Sequence, residues 1–181
     1  KSTTHEKCIY KKTVNNENVL FLRQVDDFAV ACRDTAISKE IIRQVGAQLQ
    51  VPLNDLGTLT KFNGVDILQT RDHIKVSCKT FLTKVLQHHG WEETIKQRNP
   101  IPMRNDTAYH AQLEAATLPS NPEERLQLHN DHFNYRQAIG EAIYAMTVAR
   151  PDIAYAVIKL SQYSNNPAKI HYQAVRHLFK Y

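Results

Sequence analysis

The stretch LFLRQVDDFAVAC, from Leu20 to Cys32, places two adjacent aspartates, Asp26 and Asp27, between two short apolar runs. Each run has the length and composition of a β-strand, so the acidic pair marks the turn of an antiparallel hairpin. A tight turn would present both carboxylates at the tip of the ribbon, where successive side chains alternate between its faces. The stretch therefore predicts a two-stranded ribbon that ends in two negative charges.

Two like charges this close need a physical reason. At about 4 Å they repel each other by roughly 4 kcal/mol at an effective dielectric near 20. A bound divalent cation would remove the repulsion, and carboxylate oxygens are the ligands that Mg²⁺ or Mn²⁺ prefers, as in the two-metal sites of polymerases. The alternative is structural, because aspartate is common in turns, where its side chain bonds to nearby backbone. The dipeptide alone leaves both interpretations open.

Composition indicates a globular protein. The 181 residues are 42% apolar, enough to bury the core of one ordinary domain or two small ones. Lysine and arginine total 23 against 18 acidic residues, and the net charge of +5 favours anionic partners, with nucleic acid first. Three widely spaced cysteines indicate neither a disulfide framework nor a thiolate zinc site, which fits a reducing compartment. No apolar run approaches the roughly 20 residues of a membrane-spanning helix, so we expect no membrane partner.

Around the acidic hairpin, the pattern predicts an antiparallel α+β arrangement in the order β-β-β-α-β-β-α. A strand KCIYKKTV and a turn at NNEN precede the hairpin, which makes a meander of three strands. The helix SKEIIRQVGAQLQV follows, with Ser38 as its N-cap and its end before Pro52. Two further strands, LTKFNGVDILQT and HIKVSCK, turn at Arg71 and Asp72, and the helix TFLTKVLQHHGW closes at Gly90.

The second half of the sequence changes character. From Glu92 to Asn130 the periodicity fades, which predicts an irregular linker over residues 99–130 and a domain boundary near residue 100. Residues 131–181 return to helical patterns, in HFNYRQAIGEAIYAMTVA, PDIAYAVIKLSQYS and PAKIHYQAVRHLFKY. Pro151 and Pro167 suit first helical positions, and Asn166 suits the N-cap of the last helix. The chain begins without methionine and stops inside a helical pattern, so we expect a piece of a longer protein.

Several motifs together resemble the reverse transcriptase of copia-type long-terminal-repeat retrotransposons. KCIYKK and LFLRQVDDFAVA are similar to its Cys-Leu-Tyr strand and Tyr-Val-Asp-Asp hairpin, and KFNGVDI is similar to its primer-grip segment. HIKVSCKTFLTKVLQHHGW resembles the start of its thumb. The most specific similarity is C-terminal and is carried by Tyr135, Arg136, Ile139, Gly140, Arg150, Pro151, Asp152, Ile153, Ser161, Pro167, His171 and Ala174.

This resemblance implies a fold and a site. Residues 1–98 would form part of a palm with the primer grip and the start of the thumb, and residues 131–181 would form connection helices that end before a ribonuclease H domain. Asp26 and Asp27 would be the catalytic carboxylates that bind Mg²⁺ or Mn²⁺, and the primer-contacting residues would be Gln24, Phe62 and Gly64. The partners would be a primed RNA or DNA template, deoxynucleotides, and the neighbouring parts of a polyprotein. We expect a cytoplasmic location, including retrotransposon particles, with a nuclear phase.

Two departures from the family bear on activity. Position 24 is glutamine where the family has an aromatic residue expected to rest against the primer terminus. Nothing in the chain matches the family's first catalytic aspartate, so we expect this chain alone to be inactive. The alternative is a catalytically dead relic that binds nucleic acid without sequence preference. A metal-dependent hydrolase lacks a histidine or third acid at recognisable spacing beside the aspartate pair.

The remaining candidates have structural explanations that the sequence favours. A solvated helix face competes with phosphate contacts for Lys75, Lys79 and Lys84. Metal ligation is disfavoured, because no third ligand has zinc-like spacing, and surface positions are expected for His88, His89, His129 and His132. A helix start with a favourable dipole accounts for Arg150, Pro151 and Asp152. Core or helix-packing roles are expected for Trp91, Tyr144, Tyr155 and Tyr163.

Overall fold

A computed structural model describes residues 1–92 and 98–181 of the chain. The chain divides into two compact units, and each is described by itself. The first unit contains Lys1–Asn63 and Ile67–Lys75, and the second contains Gly64–Asp66 and Val76–Tyr181. The structure therefore divides well before residue 100, where the sequence predicted a boundary. Within the described residues, no helix is both long and apolar enough to cross a bilayer.

The first unit contains the predicted meander. Strands β1 (Ile9–Val14), β2 (Glu17–Gln24) and β3 (Asp27–Ala31) form an antiparallel sheet in the order β1-β2-β3. The first turn holds Asn15 and Asn16 at φ 49° and 65°, a left-handed pair that suits a two-residue hairpin and that asparagine tolerates well. The turn predicted from NNEN is thus confirmed.

One face of this sheet is aromatic. Phe21 lies opposite Tyr10 in the register of β1 and β2, with 6.2 Å between the ring centroids. Phe21 also packs against Phe28 of β3 at 5.4 Å, and Val19 of the same face is 3% exposed. Because side chains alternate along a strand, Gln24 and Asp27 project from the opposite face.

Helix α1 (Thr35–Leu49) follows the sheet and begins earlier than predicted. Its N-cap is Asp34, whose Oδ1 accepts a hydrogen bond from the backbone N–H of Ala36 at 2.7 Å. The prediction of Ser38 as N-cap is wrong, because Asp34 satisfies the helix terminus one turn upstream. The helix ends at Leu49, before Pro52 as expected, and Gln50 adopts a left-handed conformation with φ 54°.

A second sheet contains β4 (Lys61–Phe62), β5 (Val65–Gln69) and β6 (Ile74–Ser77) in the order β4-β5-β6. Asn63 and Gly64 connect β4 to β5 with φ values of 47° and 79°, so this connection is again a left-handed two-residue turn. The prediction of one strand from LTKFNGVDILQT is therefore wrong, because this turn divides it into β4 and β5. The strand-turn-strand pattern around Arg71 and Asp72 is present.

Helices make up most of the second unit. Their bounds are α2 (Lys79–His88), α3 (Thr107–Ala115), α4 (Pro122–Asn130), α5 (Tyr135–Val148), α6 (Ala154–Ser161) and α7 (Lys169–Phe179). Their shared core includes Leu113, Val157, Leu160 and Val175, all fully buried. Since Cys78 and Trp91 join the same core, the thumb-like, linker and connection segments of the sequence prediction form one packed body.

The irregular linker predicted over residues 99–130 contains two helices. Asp106 caps α3 by accepting from the N–H of Tyr109 at 2.9 Å, and Asn121 caps α4 by accepting from the N–H of Glu123 at 2.9 Å. Helix α4 buries none of its residues fully, so its sequence has no apolar period to detect. Residues 93–97, which the prediction assigned to the end of the partial palm and thumb segment and to the fading periodicity, lie outside the described residues.

The last helix also begins differently from the prediction. Its N-cap is Ala168, and the ring of His171 accepts a hydrogen bond from the N–H of Ala168 at Nδ1, 2.8 Å away. Asn166 and Pro167 therefore lie before the helix, because a side chain inside the first turn performs the capping. Pro151, in contrast, opens a 3₁₀ turn (Pro151–Ile153) before α6, as expected.

Candidate functional site

The acidic pair lies at a two-residue turn between β2 and β3. Gln24 pairs with Asp27 in the register, which leaves Val25 and Asp26 as the loop. Val25 has φ 54° and is 81% exposed, whereas Asp26 has a negative φ, and this sign pattern is that of a type II′ turn. A β-branched residue in the left-handed region is strained by about 1–3 kcal/mol. The turn therefore holds the two carboxylates at some cost to its own backbone.

Asp26 and Asp27 are both exposed to solvent. Elsewhere in the chain, turn and cap aspartates bond to backbone N–H groups, as Asp34 does with Ala36 and Asp55 with Gly57. Neither carboxylate of the pair makes such a bond to any residue in the described part of the chain. Within the described residues, a backbone hydrogen bond of this kind does not account for either aspartate, and metal binding by the pair stays a prediction.

The fit of this pair to a divalent ion is partial. Carboxylate oxygens exposed at a hairpin tip suit Mg²⁺ or Mn²⁺, which prefer hard oxygen ligands. Across residues 1–92 and 98–181, no group of three or more histidine, cysteine, aspartate or glutamate side chains is arranged to hold a metal ion. On their own, Asp26 and Asp27 could therefore supply only part of a coordination sphere.

Gln24 lies directly opposite Asp27 and on the same face of the ribbon. Its side chain is exposed at the end of β2, one residue before the strained turn. An amide here offers hydrogen-bond donors and an acceptor, but it has no ring on which a base could stack. The position expected to contact a primer is therefore accessible, but it carries an amide in place of the aromatic ring that the resemblance implies.

The other predicted primer contacts flank the β4–β5 turn. Phe62 is half-buried at the end of β4, and Gly64 occupies the turn at φ 79°. A β-carbon added to Gly64 would lie 2.6 Å from the hydroxyl oxygen of Tyr144 on α5. Gly64 thus lies in a turn and not inside a strand. Its close approach to Tyr144, distant in sequence, was not foreseen.

Asp66 was also missed from the sequence. Its Oδ2 accepts a hydrogen bond from the N–H of Thr80 at 2.8 Å, in the first turn of α2, where the N-cap residue Cys78 supplies no side-chain bond. Burial raises the pKa of the Cys78 thiol, and the nearby charge of Arg150 opposes that rise. An isolated aspartate inside a strand pattern gave no signal of this role.

Arg150 and Asp152 form the structural pair that the sequence favoured. Arg150 donates to both carboxylate oxygens of Asp152 at 2.9–3.1 Å, and this bond lowers the pKa of Asp152. The guanidinium carbon also lies 4.9 Å from the ring centroid of Tyr181. Asp152 falls in the first turn after Pro151, as expected. The Arg150–Asp152 ion pair therefore stabilises the 3₁₀ turn that precedes α6.

The histidines differ from one another. His88 and His129 are exposed, as expected. His89 is not a surface histidine, because its side chain is 5% exposed and its Nε2 lies 2.7 Å from Oε2 of Glu141. His132 is half-buried, with Nδ1 3.0 Å from the carbonyl oxygen of Leu128. The ring of Trp91 also stacks on His89, with 4.3 Å between the centroids.

His171 is the buried polar residue at the centre of the helical unit. Its Nε2 donates to the carbonyl oxygen of Leu113 at 2.8 Å, and its ring stacks on Tyr163 with 3.9 Å between centroids. Burial lowers the pKa of His171, so the neutral ring is favoured. This residue of the C-terminal motif therefore joins α7 to α3 and is positioned for structure.

The three candidate phosphate-binding lysines, Lys75, Lys79 and Lys84, are exposed. Exposure fits both a solvated surface and a salt-dependent contact with nucleic acid, so the phosphate role stays a prediction.

The four aromatic residues expected to pack do so to different extents. Trp91 is 6% exposed in the core, and Tyr155 is 65% exposed.

The sequence itself defines the class of protein. Residues 1–104, more than half of the chain, match the family described as reverse transcriptase (RNA-dependent DNA polymerase). The chain belongs to this family. The resemblance to copia-type reverse transcriptases is confirmed, and the chain is a fragment of such a protein.

Its curated relatives are mostly much longer. The chain is 28% identical over 182 residues to the retrovirus-related Pol polyprotein from transposon TNT 1-94 of Nicotiana tabacum, which aligns with 99% of this chain and 13% of that polyprotein. It is 24% identical over 183 residues to the putative transposon Ty5-1 protein of Saccharomyces cerevisiae, covering 97% of this chain and 52% of that protein. A stretch of 47 residues is 43% identical to secreted RxLR effector protein 161 of Plasmopara viticola, covering 26% and 33% respectively. No solved structure matches the chain significantly.

Proposed function

We propose that this chain is part of the polymerase of a copia-type retrotransposon and that Asp26 and Asp27 bind its catalytic Mg²⁺ or Mn²⁺. The observation that carries the proposal is the exposed hairpin tip, where two adjacent carboxylates make no hydrogen bond to the described residues. Support also comes from the family match over residues 1–104, which includes this hairpin. The reverse transcriptase family generally uses divalent metals.

In this proposal three parts of the fold have polymerase roles. The sheet of β1–β3 is part of the palm, the β4–β5 turn with Phe62 and Gly64 holds the primer strand, and α2 begins the thumb. Divalent ions, when bound, would stabilise the charge that develops as a primer 3′-hydroxyl displaces pyrophosphate in line. Asp26 and Asp27 would hold these ions from one side, and a further carboxylate from the rest of the polyprotein would complete their coordination.

The partners follow from the same proposal. They are a primed RNA or DNA template, deoxynucleotides, and the preceding polymerase and following ribonuclease H parts of a polyprotein. Exposed lysines at positions 75, 79 and 84 would add sequence-independent phosphate contacts. The net charge of +5 is consistent with a polyanionic partner.

A chimeric polymerase tests the proposal. This chain would replace the aligned 182-residue stretch of the tobacco polyprotein, and extension of a primed RNA template would be measured with Mg²⁺. The unaltered tobacco polyprotein is the positive control. We expect the chimera to extend the primer and Asp26→Asn to abolish extension, because removal of one ligand charge disrupts the metal site.

Asp72→Asn provides the matched control, since Asp72 is an exposed turn aspartate without an acidic neighbour on either side. We expect it to leave extension unchanged. Extension that survives Asp26→Asn would overturn the metal role of the hairpin. A chimera that makes no product beside an active tobacco control would contradict the proposal as a whole.

The glutamine at position 24 favours a second candidate, a relic that binds nucleic acid without synthesis. Its exposed amide lies where the resemblance implies an aromatic ring. In the chimera, Gln24→Tyr would raise extension by about tenfold if a stacking surface of 1–3 kcal/mol is all that is missing. A relic that is damaged elsewhere would gain nothing from this change.

A further inference from the structure

Tyr144 of α5 links two other elements inside the second unit. Its ring packs against Phe81 of α2, with 4.5 Å between the ring centroids. Its hydroxyl reaches the backbone of Gly64, where an added β-carbon would lie only 2.6 Å from the hydroxyl oxygen. Real β-carbons essentially never approach another atom this closely, so the space beside Gly64 is filled by Tyr144. Glycine suits position 64 for two reasons: it adopts the positive φ of the turn without strain, and it has no β-carbon to collide with Tyr144.

A second contact fixes the same short segment. Asp66, two residues after Gly64, accepts a hydrogen bond from the N–H of Thr80 at 2.8 Å. Thr80 precedes Phe81, which carries the ring under Tyr144. The segment Gly64–Asp66 thus contacts α5 at its first residue and α2 at its last, and it is grouped with the helical unit. One contact on each side of Val65 defines both the position and the direction of this short backbone segment.

We propose that Tyr144 is a positioning residue that fixes the primer-contacting turn at Gly64. This inference rests on the proposed function, in which Gly64 and Phe62 contact the primer strand. A polymerase must hold the primer terminus within a fraction of an ångström of its reacting geometry, so the backbone that grips the primer has to be fixed from behind. Tyr144 supplies that support from α5, about 80 residues further along the chain.

The two parts of the Tyr144 side chain have separable roles. The ring contributes to packing on Phe81, which a phenylalanine at position 144 would preserve. The hydroxyl is the part that reaches Gly64. Tyr144→Phe therefore removes support from the turn while it leaves the contact with α2 in place. Tyr155→Phe is the matched control, because Tyr155 is 65% exposed on α6.

The affinity of the 181-residue chain for nucleic acid provides the first readout. A fluorescein-labelled RNA template would be titrated with and without an annealed DNA primer, and binding followed by anisotropy. We expect Tyr144→Phe to weaken binding of the primed template about fivefold, because removal of the hydroxyl loses one contact with an energy similar to that of a single hydrogen bond. Binding of the unprimed template and the melting temperature should change little. Tyr155→Phe should match the unaltered chain in every measurement.

Amide hydrogen exchange provides a second readout that does not need nucleic acid. Tyr144→Phe should accelerate exchange at Val65 and its neighbours in the β4–β5 turn, with no change in β1–β3. Gly64→Ala should weaken primed-template binding strongly in the unaltered chain and by a smaller factor in the Tyr144→Phe background, because the added methyl then meets less steric resistance.

The possible outcomes separate the inference from the proposed function. Faster exchange with unchanged primed-template affinity would show that Tyr144 supports only the fold, which overturns the inference and leaves the proposed function standing. Unchanged exchange would contradict the contact itself. If the unaltered chain does not distinguish primed from unprimed template, the primer-contacting role of the turn fails, and the inference fails with it.

Discussion

The imidazole of His89 lies against the carboxylate of Glu141 inside the helical unit, with 2.7 Å between Nε2 and Oε2. The two side chains are 5% and 16% exposed. Gln137 donates to the other oxygen of Glu141 at 3.0 Å, and Trp91 stacks on the imidazole at 4.3 Å. The pair therefore joins the C-terminal end of α2 to the middle of α5 through a satisfied polar contact in an aromatic environment.

Removal of the Glu141 carboxylate should destabilise the helical unit. We expect Glu141→Leu to lower the free energy of unfolding by about 2–3 kcal/mol, because His89 would be left buried without an acceptor. Urea denaturation followed by circular dichroism measures this. Glu114→Leu is the matched control, since the Glu114 side chain is 62% exposed in its pair with Lys159. Glu114→Leu should lower the free energy of unfolding much less than Glu141→Leu, because solvent screens an exposed ion pair. Equal losses in both variants would contradict a special role for the buried pair.

The stability of the helical unit should fall in mild acid because of His171. Burial holds the pKa of His171 below its ordinary value of 6.5, so the unfolded chain takes up the proton first as the pH falls. The contribution of His171 to stability is complete above pH 6.5 and is lost as the pH falls from 6.5 through the lowered pKa of the folded state. Urea denaturation over this range should show the decrease.

His171→Gln is the informative variant, because an amide can still accept from Ala168 but does not titrate. Its unfolding free energy should be lower above neutrality and should vary less with pH. His129→Gln, at an exposed site on α4, should retain the full pH dependence. A pH profile that is unaltered by His171→Gln would assign the acid sensitivity to other groups.

The hairpin tip should bind Mn²⁺ in the isolated chain. Paramagnetic Mn²⁺ at low occupancy should broaden the backbone amide resonances from Gln24 to Phe28 more than those of the β5–β6 turn, because two adjacent carboxylates attract a dication more strongly than one. The double variant Asp26→Asn, Asp27→Asn should lose this selective broadening. Equal broadening at Asp72 would show that exposed aspartates attract Mn²⁺ in general and that the hairpin tip is not a specific site.

The strained turn makes a prediction about stability. Val25→Gly should raise the free energy of unfolding of the first unit by about 1 kcal/mol, because glycine adopts φ 54° without steric cost and the valine side chain is 81% exposed. Asn16→Gly in the β1–β2 turn is the control. Asparagine already tolerates φ 65°, so the change there should be within about 0.5 kcal/mol. A destabilised Val25→Gly variant would indicate that the valine side chain supports the turn.

Local patterns predicted the elements whose geometry is set by neighbouring residues. The NNEN turn, the strands around Asp26 and Asp27, and the helix that ends before Gly90 all have a clear apolar period or a turn residue of defined conformation. Helix α4 could not be found in this way, because its polar sequence presents no apolar face. Its N-cap Asn121 and the proline at its first position, Pro122, were the remaining signal.

Contacts between distant residues were beyond sequence reasoning. Gly64 was named as a primer-contacting residue, yet its neighbour Tyr144 lies in a helix that the sequence assigned to a different segment. His89 was interpreted as a surface residue because Glu141, its partner, is 52 residues away. The position of Asp26 and Asp27 at a turn was predicted correctly, since it depends only on the adjacent strands.

Gly64–Asp66 belong to the helical unit, whereas the residues on either side belong to the first unit. This has a practical consequence for protein production. A polypeptide that starts at Val76 would contain every helix from α2 to α7, yet it would lack Asp66, the acceptor for the N–H of Thr80. It would also leave the hydroxyl of Tyr144 without the turn it covers. The helical half of this chain is therefore discontinuous in sequence, and its N-terminal boundary for expression lies before β5.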